Sequence, residues 1–175
     1  MKFLYFLLFI LFVINSEAQD KLQIKAAALA TEVEPQVIKW RRHFHQYPEL
    51  SNREFKTMAY IAEYMKTLDV TVETGMAYTG VVAVLDSGKP GKTIGLRADM
   101  DALPVRERVK LPFASIEETE YLGQKVGIMH ACGHDSHVAI LMGAATVLSK
   151  MKKDLTGKIV FVLDRKSTRL NSSHQ

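Results

Sequence analysis

The chain has 175 residues, 47% hydrophobic and 24% charged, the balance of one globular domain or a piece of one that can bury a core. Its formal charge of +4 falls to +2, with 19 basic against 17 acidic residues, once the two atypical ends are set aside. The pI of 9.1 is therefore a poor argument for a nucleic-acid partner, and no basic stripe with interleaved aromatics appears. A single cysteine, Cys132, excludes an internal disulfide.

Lys2, the apolar run from Phe3 to Ile14 and the small residues Ser16 and Ala18 predict a secretory signal peptide over 1–18, cleaved after Ala18. The run falls short of the roughly 20 residues that span a bilayer. The expectation is export, periplasmic or secreted, with no lasting membrane anchor. From Leu22 to Gln46 apolar residues return every three or four positions, and Pro35 is expected to end one helix and start a second. Trp40 and Phe44 are assigned to the core. His45 shares a helix face with Arg41, and with His43 it is read as a structural cluster capping the Tyr47-Pro48-Glu49 turn. Ser51 and Glu54 form a capping box for a helix reaching about Leu68, followed by a short strand over Val70–Thr74.

Gly80–Leu85 and Thr93–Ala98 flank a turn and are expected to pair with each other in a central sheet. Residues 104–127 are read as a surface loop, Ser136–Met151 as a helix in which Gly143 permits close packing, and Gly157–Leu163 as a buried strand. Helices alternating with strands argue α/β with a mixed sheet. Residues 164–175 are polar and aperiodic. They resemble the translated read-through of a sequencing adapter, so this segment is expected to be a non-native tail.

Chemistry concentrates in Met129-His130-Ala131-Cys132-Gly133-His134-Asp135-Ser136-His137. Thiolate, imidazole and carboxylate are the donors that transition metals take. Cys132 and His134, two apart, would point the same way in an extended segment and supply two ligands. His130 and His137 are candidates for a third, and Asp135 is expected to N-cap the following helix. Upstream, Gly95-Leu96-Arg97-Ala98-Asp99-Met100-Asp101 ends a strand in two carboxylates, where open α/β sheets collect their ligands.

Together the strings Trp40–Leu50, Arg97–Pro104 and Met129–Asp135 resemble the N-terminal part of the amidohydrolase branch of the dinuclear metallopeptidases. That branch includes hippurate hydrolases, N-acyl-amino-acid amidohydrolases and auxin-conjugate hydrolases, and the resemblance covers about residues 22–163. It implies that 19–163 is the N-terminal part of a three-layer α/β/α catalytic domain with a mixed sheet, without the family's lid or dimerisation domain. It implies metal ligation by Cys132 and His134, with the Cys132 sulfur between two divalent ions drawn from Mn, Zn, Co or Ni. Asp99 stands where related peptidases carry a ligand His. Asp101 would orient a ligand or its neighbour.

The family places a glutamate pair and further ligand histidines after the strand at Ile159–Val162, where this chain runs into the polar tail. The resemblance thus implies metal-dependent hydrolysis of N-acyl amino acids by a homodimeric full-length parent, with this chain alone inactive. Two rivals remain. One uses Cys132 as a nucleophile with a nearby histidine as base; the other is a non-catalytic exported metal-binding or interaction module.

Overall fold

The computed structural model describes residues 2–165, with side chains from Lys21 onward. The side chains of the expected signal segment, 1–18, and residues 166–175 of the expected tail lie outside the described residues.

Helix α1 spans Lys2–Gln46 without a break and carries Pro35 inside it. The expected division at Pro35 is therefore wrong. Proline removes one amide donor and leaves the carbonyl four residues back, on Thr31, without its partner. Both residues are exposed, so water can serve that carbonyl and the helix continues. Val33, Trp40 and Phe44 are buried along its inner side.

The expected capping box also fails. Helix α2, Phe55–Met65, starts after Glu54, whose side chain makes no cap hydrogen bond. Glu54 is instead fully buried and accepts from Thr79 Oγ1 at 2.7 Å, while Ser51 Oγ has no partner. Burial raises its carboxyl above the usual range, and the charges of Asp101 and Glu49 add to that. The first-turn amides find another acceptor. Glu49 takes the Lys56 N–H at 3.3 Å and the Thr57 N–H at 2.8 Å, together with Thr57 Oγ1 at 2.9 Å.

Strands β1 (Thr71–Met76), β2 (Gly80–Asp86) and β3 (Thr93–Asp99) come next. A hairpin of β4 (Glu118–Tyr121) and β5 (Gln124–Gly127) follows where a loop was expected. Its tip, Leu122-Gly123, has φ of 52° and 74°, the positive pair that a two-residue type I′ turn requires. Helix α3 (His134–Lys150) and strand β6 (Lys158–Asp164) complete the described elements.

The sheet order is β1-β2-β6-β3. The expected pairing of β2 with β3 is therefore corrected: β6 lies between them, antiparallel to β2 (Val82↔Val162) and parallel to β3 (Leu96↔Phe161). The turn after β2 straddles the start of β6 rather than closing a hairpin. Ser87 N and Oγ both donate to Gly157 O, at 3.1 and 2.8 Å. A Cβ on Gly91 would lie 2.6 Å from Gly157 N, so the two backbones meet where only glycine fits.

Val81, Ala83, Leu85, Ala98, Phe161 and Leu163 point to one face of the sheet and pack with Trp40, Ile61, Met65, Val138 and Met142 from the three helices. Alternate residues Val82, Val84, Val160 and Val162 face the other way and are half-buried. The described residues thus supply the mixed sheet and one helical layer. Gly143 on α3 faces Val37 on α1, where a Cβ would come within 2.6 Å of Val37 Cγ2. This is the close helix contact its composition suggested.

Candidate metal centre

Two chain segments meet at the C-terminal ends of β3 and β6. Met100 N donates to Asp164 O at 2.9 Å, holding the exit of β3 against β6. Three residues on, Leu103 and Met129 exchange backbone hydrogen bonds of 3.0 and 3.1 Å, which draws 129–137 beside 99–103. Residues 131–133 then turn, and Gly133, with φ of 87°, delivers the chain directly into α3 at His134. That left-handed conformation costs glycine nothing.

This geometry corrects two expectations. Cys132 lies on an exposed turn, so it and His134 do not alternate along an extended segment. Asp135 is not the N-cap, which is Gly133; it sits inside the first turn, almost fully buried.

His134 and His137, three apart on α3, share a face and stack with centroids 5.7 Å apart. Asp99, at the end of β3, reaches both: Oδ1 accepts from His137 Nδ1 at 2.6 Å, and Oδ2 lies 3.3 Å from His134 Nε2. One donor atom from each of Asp99, His134 and His137 lies within 4.8 Å of the others. Asp101 works from the opposite edge of the His134 ring. Its backbone oxygen accepts from Nδ1 at 2.8 Å, with its carboxylate Oδ1 at 3.2 Å. A proton is thereby held on Nδ1 and Nε2 is turned toward Asp99. Two imidazoles and a carboxylate suit a divalent transition ion. Such an ion takes the place that a second proton on Nε2 would otherwise fill, so the residues present fit one.

Residues 95–164 match the peptidase family M20/M25/M40. This stretch carries the sequence signature of the M20 peptidases. The chain is 47% identical over 129 residues to thermostable carboxypeptidase 1 of Saccharolobus solfataricus, covering 73% of this chain and 31% of that protein. It is 40% identical over 134 residues to an N-acyl-L-amino acid amidohydrolase of Geobacillus stearothermophilus, covering 77% and 34%. Among solved structures, a dinuclear metal-binding M20 peptidase of Bacillus subtilis superposes with a TM-score of 0.66 at 35% identity, over 78% of this chain and 35% of that one. The chain therefore spans about a third of the length of the curated relatives it matches.

Electrostatics separate the histidines of this centre. The hydrogen bond with Asp101 raises the pKa of His134 above the ordinary imidazole value, against the opposing effect of burial. Burial pulls the Asp99 carboxyl upward, yet the hydrogen bond from His137 and the charge of His134 leave it below the ordinary carboxylate value. His130 is pushed down to about 4 by burial, and its Nδ1 has no partner. The structure thus brings His134 and Asp101 together with Asp99 and His137, leaves His130 outside that group, and places Cys132 on the exposed turn. Of the two candidates for a third ligand, the structure sets His137 beside His134 through their three-residue spacing on α3.

Proposed function

We propose that the protein containing this chain is a metal-dependent amidohydrolase that cleaves the amide bond of N-acyl amino acids, with His134 as a ligand. The observation that carries the reading is the grip of Asp101 on His134 Nδ1, which leaves Nε2 directed at the Asp99–His137 pair. The names of the relatives support the chemistry, an amidohydrolase of N-acyl-L-amino acids and a carboxypeptidase among them. A structural neighbour described as a dinuclear metal-binding peptidase supports the cofactor class.

In this reading His134, Asp99 and His137 would hold a divalent ion, and the family resemblance adds the thiol of Cys132. When bound, such an ion supplies Lewis acidity, which polarises an amide carbonyl and lowers the pKa of water. Within the chain, Asp101 fixes the ring of His134, and Asp99 brings negative charge to the donor group. His130, buried and neutral near pH 7, adds no positive charge beside it. The apolar run after Lys2 supports export, and a homodimeric assembly of the full protein belongs to the same reading.

Titration of the chain with Co²⁺, followed by calorimetry and visible absorption, tests this. Saturable binding is expected, weakened at least tenfold in His134→Ala. A thiolate-to-metal absorption band should vanish in Cys132→Ser. Unchanged affinity in His134→Ala sinks the site; a missing band removes Cys132 from the ligand set. Hydrolysis of N-acetyl amino acids by the full-length protein, abolished by chelator, completes the test.

A further inference from the structure

Next to His134, on the other side of the α3 helix, Asp135 enters a buried network that the proposed chemistry does not use. Asp135 Oδ2 receives Arg41 Nε at 2.9 Å and His45 Nδ1 at 2.9 Å. The far nitrogen of His45, Nε2, lies 2.9 Å from Glu107 Oε2. The ring of His45 therefore bridges the two carboxyl groups, one at each nitrogen. The side chains of Asp135, Glu107 and His45 are 1%, 4% and 5% exposed. Phe113, from the same loop as Glu107, lies beneath the guanidinium groups of Arg41 and Arg42, 5.4 and 5.2 Å from its ring centre, and edge-on to His45.

The start of α3 needs such an anchor. Its N-cap is Gly133, which offers no side-chain hydrogen bond to the first-turn amides. An ordinary Ser, Thr, Asn or Asp cap would fix the helix entry, and none is present. The first turn is held from two sides instead. His134 is tied to the exit of β3 through Asp101, and Asp135 is tied to the end of α1 through Arg41 and His45. A displacement of this turn moves both His134 and His137, because the two rings rise from it.

We propose that Asp135 is a positioning residue for the metal centre, acting with His45 and Arg41 to set the first turn of α3 so that His134 and His137 converge on Asp99. This rests on the metal-site reading above. The network acts on ligand geometry, and Glu107 extends the hold to the 104–113 loop that covers it. Partners that orient metal-bound histidines are worth 10–100-fold in metal affinity.

The test compares the wild-type chain with Asp135→Asn and with the milder His45→Gln and Glu107→Gln, which guard against a variant that does not fold. Helix content and melting temperature are measured beside two readouts. One is the Co²⁺ dissociation constant; the other is the imidazole nitrogen–proton spectrum of metal-free His134. Asp135→Asn should weaken Co²⁺ at least tenfold and blur the single Nδ1-protonated form of His134, with helix content kept. His45→Gln should do the same to a smaller degree. Variants that bind Co²⁺ like the wild type overturn the positioning role and leave the metal site standing. If the wild type binds no Co²⁺, the metal site falls, and the metal-free spectra still decide: a His134 signal unchanged in all three variants overturns the positioning role as well.

Discussion

His130 is 6% exposed and lies within electrostatic reach of Asp135, His134, His45 and Asp101. Its folded pKa of about 4 sits below the ordinary 6.5, so the unfolded chain takes up a proton over a range of pH in which the folded chain does not. Stability is therefore complete above about 6.5 and drains away as pH falls toward 4, by up to roughly 3 kcal/mol. Urea midpoints at pH 7 and 4.5 check this: His130→Gln should flatten the fall, and an equally steep loss in that variant refutes it. His134 acts in a different window. Its raised pKa stabilises the fold below 6.5, a contribution that fades as pH rises through the folded value. At this scale much of the centre was readable, because His134 and Asp101 stand in short, unusual strings. The pairing of His137 with Asp99 was not, since placing the helix start at Ser136 instead of His134 moves His137 away from its neighbour by most of a turn.

Among the elements, α2 carries the clearest consequence. Its first amides depend on Glu49, which precedes the helix by six residues and is presented by the Tyr47-Pro48-Glu49 turn. Glu49→Ala should cost about 1 kcal/mol, the usual worth of a lost N-terminal cap, and amide exchange should quicken at Lys56 and Thr57 ahead of the rest of α2. Protection unchanged at both amides means the cap lies elsewhere. Element types were mostly legible from periodicity, since α3, β2, β3 and β6 fall within a few residues of where apolar spacing put them. Boundaries and caps were not. Glu54 satisfies the capping-box spelling, yet burial beside Thr79 claims its carboxylate, and a nonlocal residue takes over the cap. The β4–β5 hairpin escaped notice because its strands have only four residues each and are largely exposed, leaving little hydrophobic alternation to read.

For the whole molecule, the decisive position is Phe161. It is fully buried at the centre of the sheet, in β6, with β2 on one side and β3 on the other. Phe161→Ala should cost roughly 3–5 kcal/mol, a large share of the 5–15 kcal/mol typical of a folded domain. The melting temperature should drop on the order of 10 °C; calorimetry showing a shift of only a degree or two rules out this view of the core. The α/β class followed from the alternation of elements, but strand order did not. Neighbouring strands in sequence usually pair, and nothing local in 80–98 reveals that a strand sixty residues later will come between them. That insertion has a consequence for how the protein is made. Until residues 158–164 emerge from the ribosome, β2 and β3 have no ladder to share, and closure must await contacts of long sequence separation, which slow folding. A nascent chain arrested short of β6 holds two unsatisfied strand edges at once. Such intermediates invite chaperone capture, and force-release measurements on stalled chains should register tension only after β6 has cleared the exit tunnel.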